Sequence, residues 1–470
     1  MPQQVTTVAK MLSRRALANI QPNDIKSIMA RGSSNAYDAH TNPLGMVSLG
    51  VAENRLMHDE IAAHINSHLS ITKRCLTYGD GSVGSDQLRQ SIANFINRTA
   101  FHPRKPVEMD HVTVLSGVSS IIDCLAFSLC EAGEGVLLGR PTYVGFISDL
   151  VNRAGVKPVL VDFERRSKSV HPMSLEAVEC YEIALVESAQ NGTPVRALLL
   201  CHPHNPFGLC YETEVLEAYL DLCAKYSLHF IRPASDEVYA NSIFASTDFP
   251  SPPSFTSVLS LDIKKHINPS MVHCLYGMSK DFCSNGIRLG AFVSQDNPNL
   301  HAAIRAISKF AWPSSLADAA WCGILTDEAF LQTYLETLSE RLSAAYEHCI
   351  ALLKRHSIPY VPAHAGPFIW IDLSKHLSSH SVEAERELAW KMIKNKVWLA
   401  TGEAYRSERP GCFRITFAVD KAELELGIQR ILVVRLVPVD NSSVKGLVRC
   451  SNVIAPLSFS SLIVVIRVAA

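Results

Sequence analysis

Short apolar runs alternate with amphipathic stretches through the middle of the chain. The run HVTVLSG ends at Gly117, and SSIIDCLAFSLCEAG follows with apolar residues at helical spacing. The runs GVLLGRP, KPVLVDF, ALLLCHP, SLHFIRP and MVHCLYG repeat the strand-like pattern. Short apolar strands separated by helices are typical of a mostly parallel sheet with helices on both faces. This part of the chain is therefore predicted to be α/β.

The pattern changes near Leu300. DEAFLQTYLETLSERLSAAYEHCIALLKRHSI predicts one long amphipathic helix, GPFIWIDL and CFRITFA predict strands, and KAELELGIQRIL predicts a closing helix. We therefore predict an N-terminal arm over residues 1–45 and a large domain over residues 70–310. Residues 46–69 together with 311–431 are predicted to form a smaller α+β domain. The pattern assigns residues 432–470 to neither domain and leaves them as a tail of uncertain structure.

Composition excludes several classes of protein. The 470 residues are 47% hydrophobic, which excludes disorder of the whole chain. Lys and Arg number 44 against 45 Asp and Glu, so no basic field exists to hold a nucleic-acid backbone. The 13 cysteines form no C-x-x-C pair, which favours reduced thiols and a cytoplasmic location. No signal peptide and no run of about 18 apolar residues is found, so no membrane association is expected.

Polar residues stand directly after several of the predicted strands. Parallel sheets bind ligands at the carboxyl ends of their strands, so these residues are the candidates for a site. Each alone has a structural explanation, since Asp often caps a helix, Lys is usually solvated and Asn before Pro forms turns. In chain order the candidates are Tyr143, Asn205, Asp236, Tyr239, Lys280 and Arg288.

Together these residue types match the needs of an aldehyde cofactor. A lysine amine forms a Schiff base with an aldehyde. A carboxylate facing a pyridine nitrogen keeps it protonated and deepens the electron sink. A phenol and an amide can contact a ring oxygen, and an aromatic ring can stack on the cofactor. Serine and arginine at a helix N-terminus can hold a phosphate.

The order of motifs resembles a known family. Y-G…S-G-V-S-S…R-P-T-Y…H-N-P-F-G…D-E-V-Y…S-K…G-I-R-L-G…F-R-I-T-F is similar to the class I/II aminotransferases, which are fold-type I pyridoxal-phosphate enzymes. The resemblance covers residues 42–431. NPLGMVSLGVAENRL and GPFIWIDL most resemble the 1-aminocyclopropane-1-carboxylate synthase branch, which is similar to fungal carbon–sulfur lyases. It implies pyridoxal 5′-phosphate as cofactor, an α-amino acid as substrate, and a homodimer with shared active sites.

The resemblance implies a role for each residue around the cofactor ring. Lys280 would carry the Schiff base, and Asp236 would pair with the pyridine nitrogen. Tyr239 and Asn205 would contact the ring oxygen, while Tyr143 would stack on the ring. Lys280, Asp236 and Tyr239 are accordingly the predicted catalytic residues.

The resemblance also implies a phosphate site and a substrate site. The groups that would hold the phosphate at a helix start are Val118, Ser119, Ser279, Arg288 and, from the neighbouring subunit, Tyr78. Arg414 would bind the substrate α-carboxylate in the bidentate way that a guanidinium allows. Glu53 would face the substrate, with Asn205 beside it.

Three positions depart from the family pattern. Gly277 stands where the family usually has Ser or Thr, which removes one phosphate hydrogen bond. Residues 82–84 are S-V-G where the cyclopropane synthases carry Y-H-G, and Ser148 stands where they carry Arg. These departures argue against true cyclopropane-synthase activity and leave the cofactor machinery in place.

Other features could suggest a different chemistry. Residues 79–84 spell G-x-G-x-x-G, but no strand precedes them as a dinucleotide site requires, and Ser85 instead predicts a helix N-cap. His202 and His204 lack a third ligand, so no metal site is predicted. Cys283 lacks a histidine partner and is interpreted as a packed thiol.

The sequence leaves the reaction open. Our leading hypothesis is elimination from a sulfur-substituted amino acid, through an external aldimine and a quinonoid, in fungal-type secondary metabolism. The alternative is an aminotransferase that passes the amino group to a 2-oxo acid. A hypothesis of another class is a non-catalytic sensor that keeps the fold, which loss of Lys280 or Asp236 would favour; both are present.

Overall fold

The computed structural model of the chain describes residues 12–20, 24–164, 170–232 and 239–436. The helices are α1 Arg14–Asn19, α2 Asp24–Gly32, α3 His58–His68, α4 Asp86–Arg98, α5 Val118–Leu129, α6 Gly145–Val151, α7 Ala177–Gln190, α8 Thr213–Lys225, α9 Ile263–His266, α10 Pro298–Ile307, α11 Ser315–Thr326, α12 Glu328–Arg355, α13 Val382–Lys394 and α14 Lys421–Leu436. The strands are β1 Val47–Ser48, β2 Val112–Leu115, β3 Gly135–Leu138, β4 Lys157–Leu160, β5 Val195–Leu199, β6 His229–Arg232, β7 Val272–Gly277, β8 Gly290–Val293, β9 Tyr360–Val361, β10 Phe368–Asp372, β11 Val397–Trp398, β12 Ala400–Thr401 and β13 Cys412–Thr416.

The apolar runs of the middle of the chain form one seven-stranded sheet. Its order is β2-β8-β7-β6-β5-β3-β4, and β3, β4, β5, β6 and β7 pair in parallel. Strands β2, β3, β7 and β8 are buried along their whole length. The prediction of a mostly parallel α/β sheet is confirmed, because strands buried on both faces appear in a sequence as uninterrupted apolar runs.

One strand runs against the others. Strand β8 is antiparallel to both β7 and β2. Residues 278–289 join β7 to β8 without a crossover helix, so the chain returns beside β7 in the opposite direction. This connection carries the predicted lysine, Lys280.

A second, smaller sheet is built from the C-terminal part of the chain. Its order is β12-β13-β10-β9, with antiparallel pairing throughout. Separately, β1 pairs in parallel with β11, which brings residues 47–48 to the C-terminal part. Helix α12 runs unbroken for 28 residues, as predicted, and Asp327 caps it by accepting a hydrogen bond from Phe330 N at 3.0 Å. The domain boundaries given above stay a prediction.

The closing helix is longer than the sequence pattern indicates. Helix α14 continues to Leu436, so residues 432–436 are helical and do not belong to a separate tail. Ile431 and Val434 are buried in the core, which explains why the helix extends. Residues 437–470, the rest of the predicted tail, lie outside the described residues. Among the helices that are described, none is both long and apolar enough to cross a lipid bilayer.

Candidate active site

A cavity of about 140 Å³ opens at the carboxyl ends of the parallel strands, between the large sheet and the smaller one. Strands β3, β5 and β7 end near it, β12 and β13 face it from the smaller sheet, and helix α2 covers one side. The cavity wall contains five of the residues predicted from sequence, namely Tyr143, Asn205, Tyr239, Lys280 and Arg414. The structure therefore brings together residues that are up to 271 positions apart in the chain.

Lys280 stands three residues beyond the end of β7, on the connection to β8. Its Nζ donates a hydrogen bond to the carbonyl of Ala52. The next residue, Asp281, is fully buried and accepts hydrogen bonds from Ser242 Oγ at 2.6 Å and from Tyr276 Oη at 3.1 Å. Burial raises the pKa of Asp281 to about 7, although these donors oppose the shift. The buried carboxyl anchors the connection and so fixes the direction of Lys280.

Arg414 lies in the middle of β13 and is only 2% exposed. Its Nη2 donates to Gly50 O at 2.6 Å, and its Nη1 donates to Asn205 Oδ1 at 3.0 Å. The guanidinium lies over the rings of Phe368, at 4.9 Å, and Tyr405, at 5.1 Å. Its Nε is buried without a hydrogen-bond partner.

This guanidinium has no ion pair with any acidic residue that the structure describes. A buried charge without a counter-ion is costly, and a carboxylate is the partner that a guanidinium fork fits best. The orphaned Nε and the missing acid together indicate a site for the carboxylate of a ligand. Asn205, which is buried, holds one side of the fork.

Two tyrosines complete the wall beside Lys280. Tyr143 is half-buried in the loop after β3 and packs edge-on against Phe146, with ring centroids 5.3 Å apart. Tyr239 is buried and packs edge-on against Phe368 at the same distance. Both rings have little freedom to move, which suits them to hold a flat ligand.

The start of α5 forms a second cationic region. Gly117 precedes the helix with φ of 87°, and a Cβ there would overlap Arg288 Nη2. The guanidinium of Arg288 therefore lies against the helix start, while its Nη1 donates to Asn285 O at 2.7 Å. Val118 and Ser119 are the first two residues of the helix. Free N–H groups at a helix start combined with a guanidinium make an anion site.

A buried carboxyl group lies close to Ser119. It belongs to Asp149 of α6, whose Oδ2 is buried without a hydrogen-bond partner. Burial raises the pKa of Asp149 to about 7. Ser279, also predicted to hold the anion, is half-buried one residue before Lys280.

The departures from the family pattern have structural reasons. A Cβ on Gly277 would lie 2.9 Å from Leu289 O and 3.3 Å from Val118 Cγ2, so β7, β8 and the start of α5 approach too closely for a side chain. The hydroxyl of Ser148 is exposed and donates to Gly145 O at 2.8 Å within its own helix. It does not reach the cavity.

Six of the predicted residues that the structure describes do not line the cavity, namely Glu53, Tyr78, Val118, Ser119, Ser279 and Arg288. Tyr78 is 84% exposed and lies against Trp312, 5.4 Å between ring centroids, on a separate surface. Glu53 is half-buried and accepts from Asn285 Nδ2 at 2.9 Å, so it supports the connection that carries Arg288. Its contact with a substrate stays a prediction, as does the contact of Tyr78 across a dimer. Asp236 lies outside the described residues.

The alternative chemistries find little support. Residues 79–84 follow a 3₁₀ turn rather than a strand, and Ser85 caps α4 by accepting from Leu88 N at 3.1 Å. His204 is buried, and burial lowers its pKa to about 3, as expected for a packed neutral ring. Burial raises the pKa of the Cys283 thiol to about 12, so it is a poor nucleophile.

Sequence reasoning missed a cluster of titratable groups and part of the cavity wall. His64, His68 and Asp327 place their ligand atoms within 4.8 Å of one another, and the contact of His64 with the helix-capping Asp327 explains the cluster without an ion. In the cavity wall, Trp398 and Tyr405 were not predicted, because Trp398 lies in an apolar segment and Tyr405 in a loop. Helix α2 also contributes a wall, which the apolar spacing of NDIKSIMARG could have revealed.

Comparison with known proteins adds three kinds of match. The family model "Aminotransferase class I and II" matches residues 45–431. "Probable aminotransferase aclI" of Aspergillus oryzae is 31% identical over 427 residues, 89% of this chain and 97% of that protein. The human "1-aminocyclopropane-1-carboxylate synthase-like protein 1" is 33% identical over 403 residues, 84% of this chain and 77% of that protein.

A further human relative, "Probable inactive 1-aminocyclopropane-1-carboxylate synthase-like protein 2", is 32% identical over 84% of this chain and 68% of its own length. Among solved structures, a double mutant of the aspartate aminotransferase of Thermus thermophilus superposes with a TM-score of 0.71 and 19% identity. The superposition covers 90% of this chain and 99% of that one. At that identity the likeness shows a shared fold.

Proposed function

The chain belongs to the class I and II aminotransferase family, whose fold is fold-type I and whose cofactor is pyridoxal 5′-phosphate, and from this premise we propose that it is an enzyme acting on α-amino acids. The observation that carries the proposal is the buried, acid-free guanidinium of Arg414 in the same cavity as Lys280. One group fits the carboxylate of an amino acid, and the other fits its α-amino end and Cα proton.

The described residues fit the cofactor. Its phosphate would be held by the start of α5 at Val118 and Ser119, together with Ser279 and Arg288. The close approach of Gly117 to the Arg288 guanidinium leaves backbone N–H groups and a cation facing the same point. Around the ring, the residues proposed to hold the cofactor are Tyr143, Asn205, Tyr239, Lys280 and Asp236.

The chain's own groups then divide the work. When bound, the cofactor supplies an electron sink for negative charge at Cα. Arg414 binds and orients the substrate carboxylate, with Asn205 holding the guanidinium in place at 3.0 Å. Lys280 Nζ acts as the base that removes the Cα proton and as the acid that returns a proton later. The buried Asp281 keeps the lysine on the correct side of the cavity.

Elimination is the reaction that we favour. In it, the Cα–H bond breaks first. A sulfur substituent on Cβ can then leave directly, whereas one on Cγ leaves only after a Cβ–H bond has also broken, and the sulfur takes up a proton to leave as a thiol. Loss from Cβ leaves an enamine that water hydrolyses to a 2-oxo acid and ammonia. The relation to cyclopropane-synthase-like proteins supports this choice, whereas the name of the Aspergillus oryzae relative supports transamination as the second candidate.

The test begins with the cofactor. Purified protein with added pyridoxal phosphate should show visible absorption, and borohydride should fix the cofactor to Lys280, as peptide mass mapping would report. Lys280→Ala should lose the spectrum and turnover together, while Lys264→Ala, a change at an exposed lysine of α9, should keep both. A spectrum without turnover of any amino acid would instead favour a sensor.

Product analysis then separates the two reactions. Ammonia with a 2-oxo acid and a thiol from an S-substituted cysteine would support elimination. Accumulation of pyridoxamine phosphate, reversed by added 2-oxo acids, would support transamination and would overturn our preference.

We also propose a homodimer in which Tyr78 reaches the neighbouring cofactor. Exposed apolar side chains support this, since Leu76 is 78%, Tyr78 84% and Phe310 91% exposed. Co-expressing Lys280→Ala with Tyr78→Ala should give more activity than either variant alone, because a mixed dimer contains one intact site. No gain over the parents would contradict the shared site.

A further inference from the structure

Part of the wall of the cavity that contains Arg414 and Lys280 is apolar. Helix α2 contributes Ile25, Ile28 and Met29, which recur at i, i+3 and i+4 and so share one face of the helix. Trp398 and Tyr405, both buried, face them from the smaller domain. These five residues line the same cavity as Arg414 and Lys280 and are available to a substrate side chain.

The two cationic side chains of the cavity wall already have proposed roles. Among the described residues that line the cavity, Arg414 and Lys280 are the cationic side chains, and no carboxylate is present. Arg414 is needed for the α-carboxylate and Lys280 for the proton. Within this chain, a second carboxylate on the substrate would therefore be buried without a cation of its own, which is unfavourable.

A cationic substrate side chain is also disfavoured in this cavity. It would meet two like charges at close range and would find no acid among the described lining residues. An apolar substrate side chain instead displaces water from Ile28, Trp398 and Tyr405, and its binding is stabilised in proportion to the apolar area that it buries.

The position of Trp398 is fixed from both sides. A Cβ on Gly32 would overlap its ring, and a Cβ on Gly50 would lie 2.9 Å from its Cε2. The ring is therefore clamped between α2 and the segment after β1. Trp398 is 3% exposed, and its Nε1 is buried without a hydrogen-bond partner. The ring therefore presents a fixed apolar surface to the cavity.

We propose that the substrate is an α-amino acid with a neutral, mainly apolar side chain, and that α2 with Trp398 and Tyr405 forms the pocket for it. The proposal rests on the proposed function, because it assumes that Arg414 holds the α-carboxylate. Dicarboxylic and dibasic amino acids are expected to be poor substrates, because the described lining residues of this chain offer their side chains no counter-charge.

The test uses a reaction step that every branch shares. The holoenzyme is placed in D₂O, and exchange of the Cα proton for deuterium is followed by mass spectrometry. Lys280 breaks the C–H bond and returns a deuteron, with no net redox change and no product needed. Methionine and phenylalanine should exchange with a kcat/KM at least about 100-fold above that of aspartate or lysine.

A binding measurement supports the kinetics. Carboxylic acids that lack an amino group occupy the Arg414 site without reacting. Calorimetry should give 3-phenylpropionate a Kd at least about tenfold lower than that of succinate. This readout does not depend on turnover.

Met29→Arg provides the matched change in the wall. Met29 lines the cavity yet is 37% exposed, so the helix should tolerate the longer side chain. The new cation should raise the exchange rate of aspartate at least about tenfold and lower that of methionine. Ala30→Arg, at an exposed position next along α2 that does not line the cavity, should change neither rate.

The outcomes separate the two proposals. Exchange of aspartate as fast as methionine, or succinate binding as tightly as 3-phenylpropionate, would overturn the neutral pocket and leave the enzyme assignment intact. Absence of exchange with every amino acid, in protein that carries its cofactor, would overturn both.

Discussion

Arg414 lines the cavity and Arg288 lies against the start of α5, and the two guanidinium groups are held in opposite ways. Arg414 is buried in the middle of β13, between two paired strands, and its charge is enclosed by two aromatic rings. Arg288 is exposed on the connection between β7 and β8, with a left-handed φ of 61°. One cation is part of a sheet, and the other is part of a loop beside a helix start.

The difference in burial between Arg414 and Arg288 bears on the role proposed for each guanidinium. A charge in a dry site acts strongly on a ligand but burdens the fold, because its loss of hydration is not repaid until the ligand arrives. A charge in water acts weakly and costs the fold little. In the proposed function, Arg414 at the substrate end would be preorganised for discrimination, whereas the phosphate end, with Arg288, would sum several weak contacts. Four changes test this comparison.

Arg414→Met should have the largest effect. Loss of a buried, charge-assisted pair should lower kcat/KM for α-amino acids about 10³-fold, near 4 kcal/mol. Yet the apoprotein should unfold in urea with unchanged or about 1 kcal/mol higher free energy, because an unpaired buried cation is removed. Arg406→Met, at an exposed residue of the same domain, should leave both values unchanged. A stability loss above about 2 kcal/mol would mean that the fold, not the ligand, depends on the guanidinium.

Asp149→Asn should change stability in a pH-dependent way. The folded pKa of about 7 lies above the ordinary 3.8, so the fold favours the protonated carboxyl. The stability contributed by this group is fully present below about pH 4 and is lost as pH rises through 7. At about pH 8 the Asn variant of the apoprotein should therefore be about 4 kcal/mol more stable than the wild type, and the two should match near pH 4.

Urea unfolding of the two apoproteins across this pH range checks the prediction. Asp59→Asn, at an exposed position in α3, provides the control and should show little difference between about pH 5 and 8. A parallel shift at all pH values would show that the amide alters packing rather than removing a buried charge.

Gly117→Ala tests how closely the phosphate end is assembled. The Cβ would overlap the Arg288 guanidinium and would also strain a backbone with φ of 87°. Gly133 has a similar φ of 93° but open space at its Cβ, so Gly133→Ala carries the strain without the overlap. The Kd for pyridoxal phosphate should rise about 30-fold for Gly117→Ala, near 2 kcal/mol, and less than about threefold for Gly133→Ala. Equal increases of the Kd in the two variants would show that overlap with Arg288 does not weaken cofactor binding.

Much of this arrangement could be predicted from the sequence, for a physical reason. Strands buried on both faces appear as apolar runs, so polar residues at their ends, such as Asn205 and Lys280, stand out. Arg414 stands out similarly, as a charge inside an apolar strand. The roles proposed for them still depend on the family and on the tests above.

Other features required three-dimensional structure. Gly277 has no room for a side chain because Leu289 and Val118 approach it closely. The sequence gives no sign of these contacts, since both residues belong to other parts of the chain. The reversed direction of β8 has no signal in its apolar pattern, which parallel and antiparallel buried strands share. The support of Lys280 by Asp281 was equally hidden, since a buried acid and a solvated one look alike in sequence.

Arg288→Gln should have the smallest effect. The guanidinium is exposed, and exposed charge contacts contribute about 0.2–1 kcal/mol, so the Kd for pyridoxal phosphate should rise only about fivefold. The loss should shrink as salt is raised, because the Debye length falls from about 10 Å at 0.1 M to about 3 Å at 1 M. Substrate binding after Arg414→Met should stay weak at both salt concentrations, since a buried pair is little screened. Arg305→Gln, at an exposed position on α10, is the control in the same absorbance titration. A loss at Arg288 that is large and insensitive to salt would place both guanidinium groups in dry sites, and the contrast between the two ends would disappear.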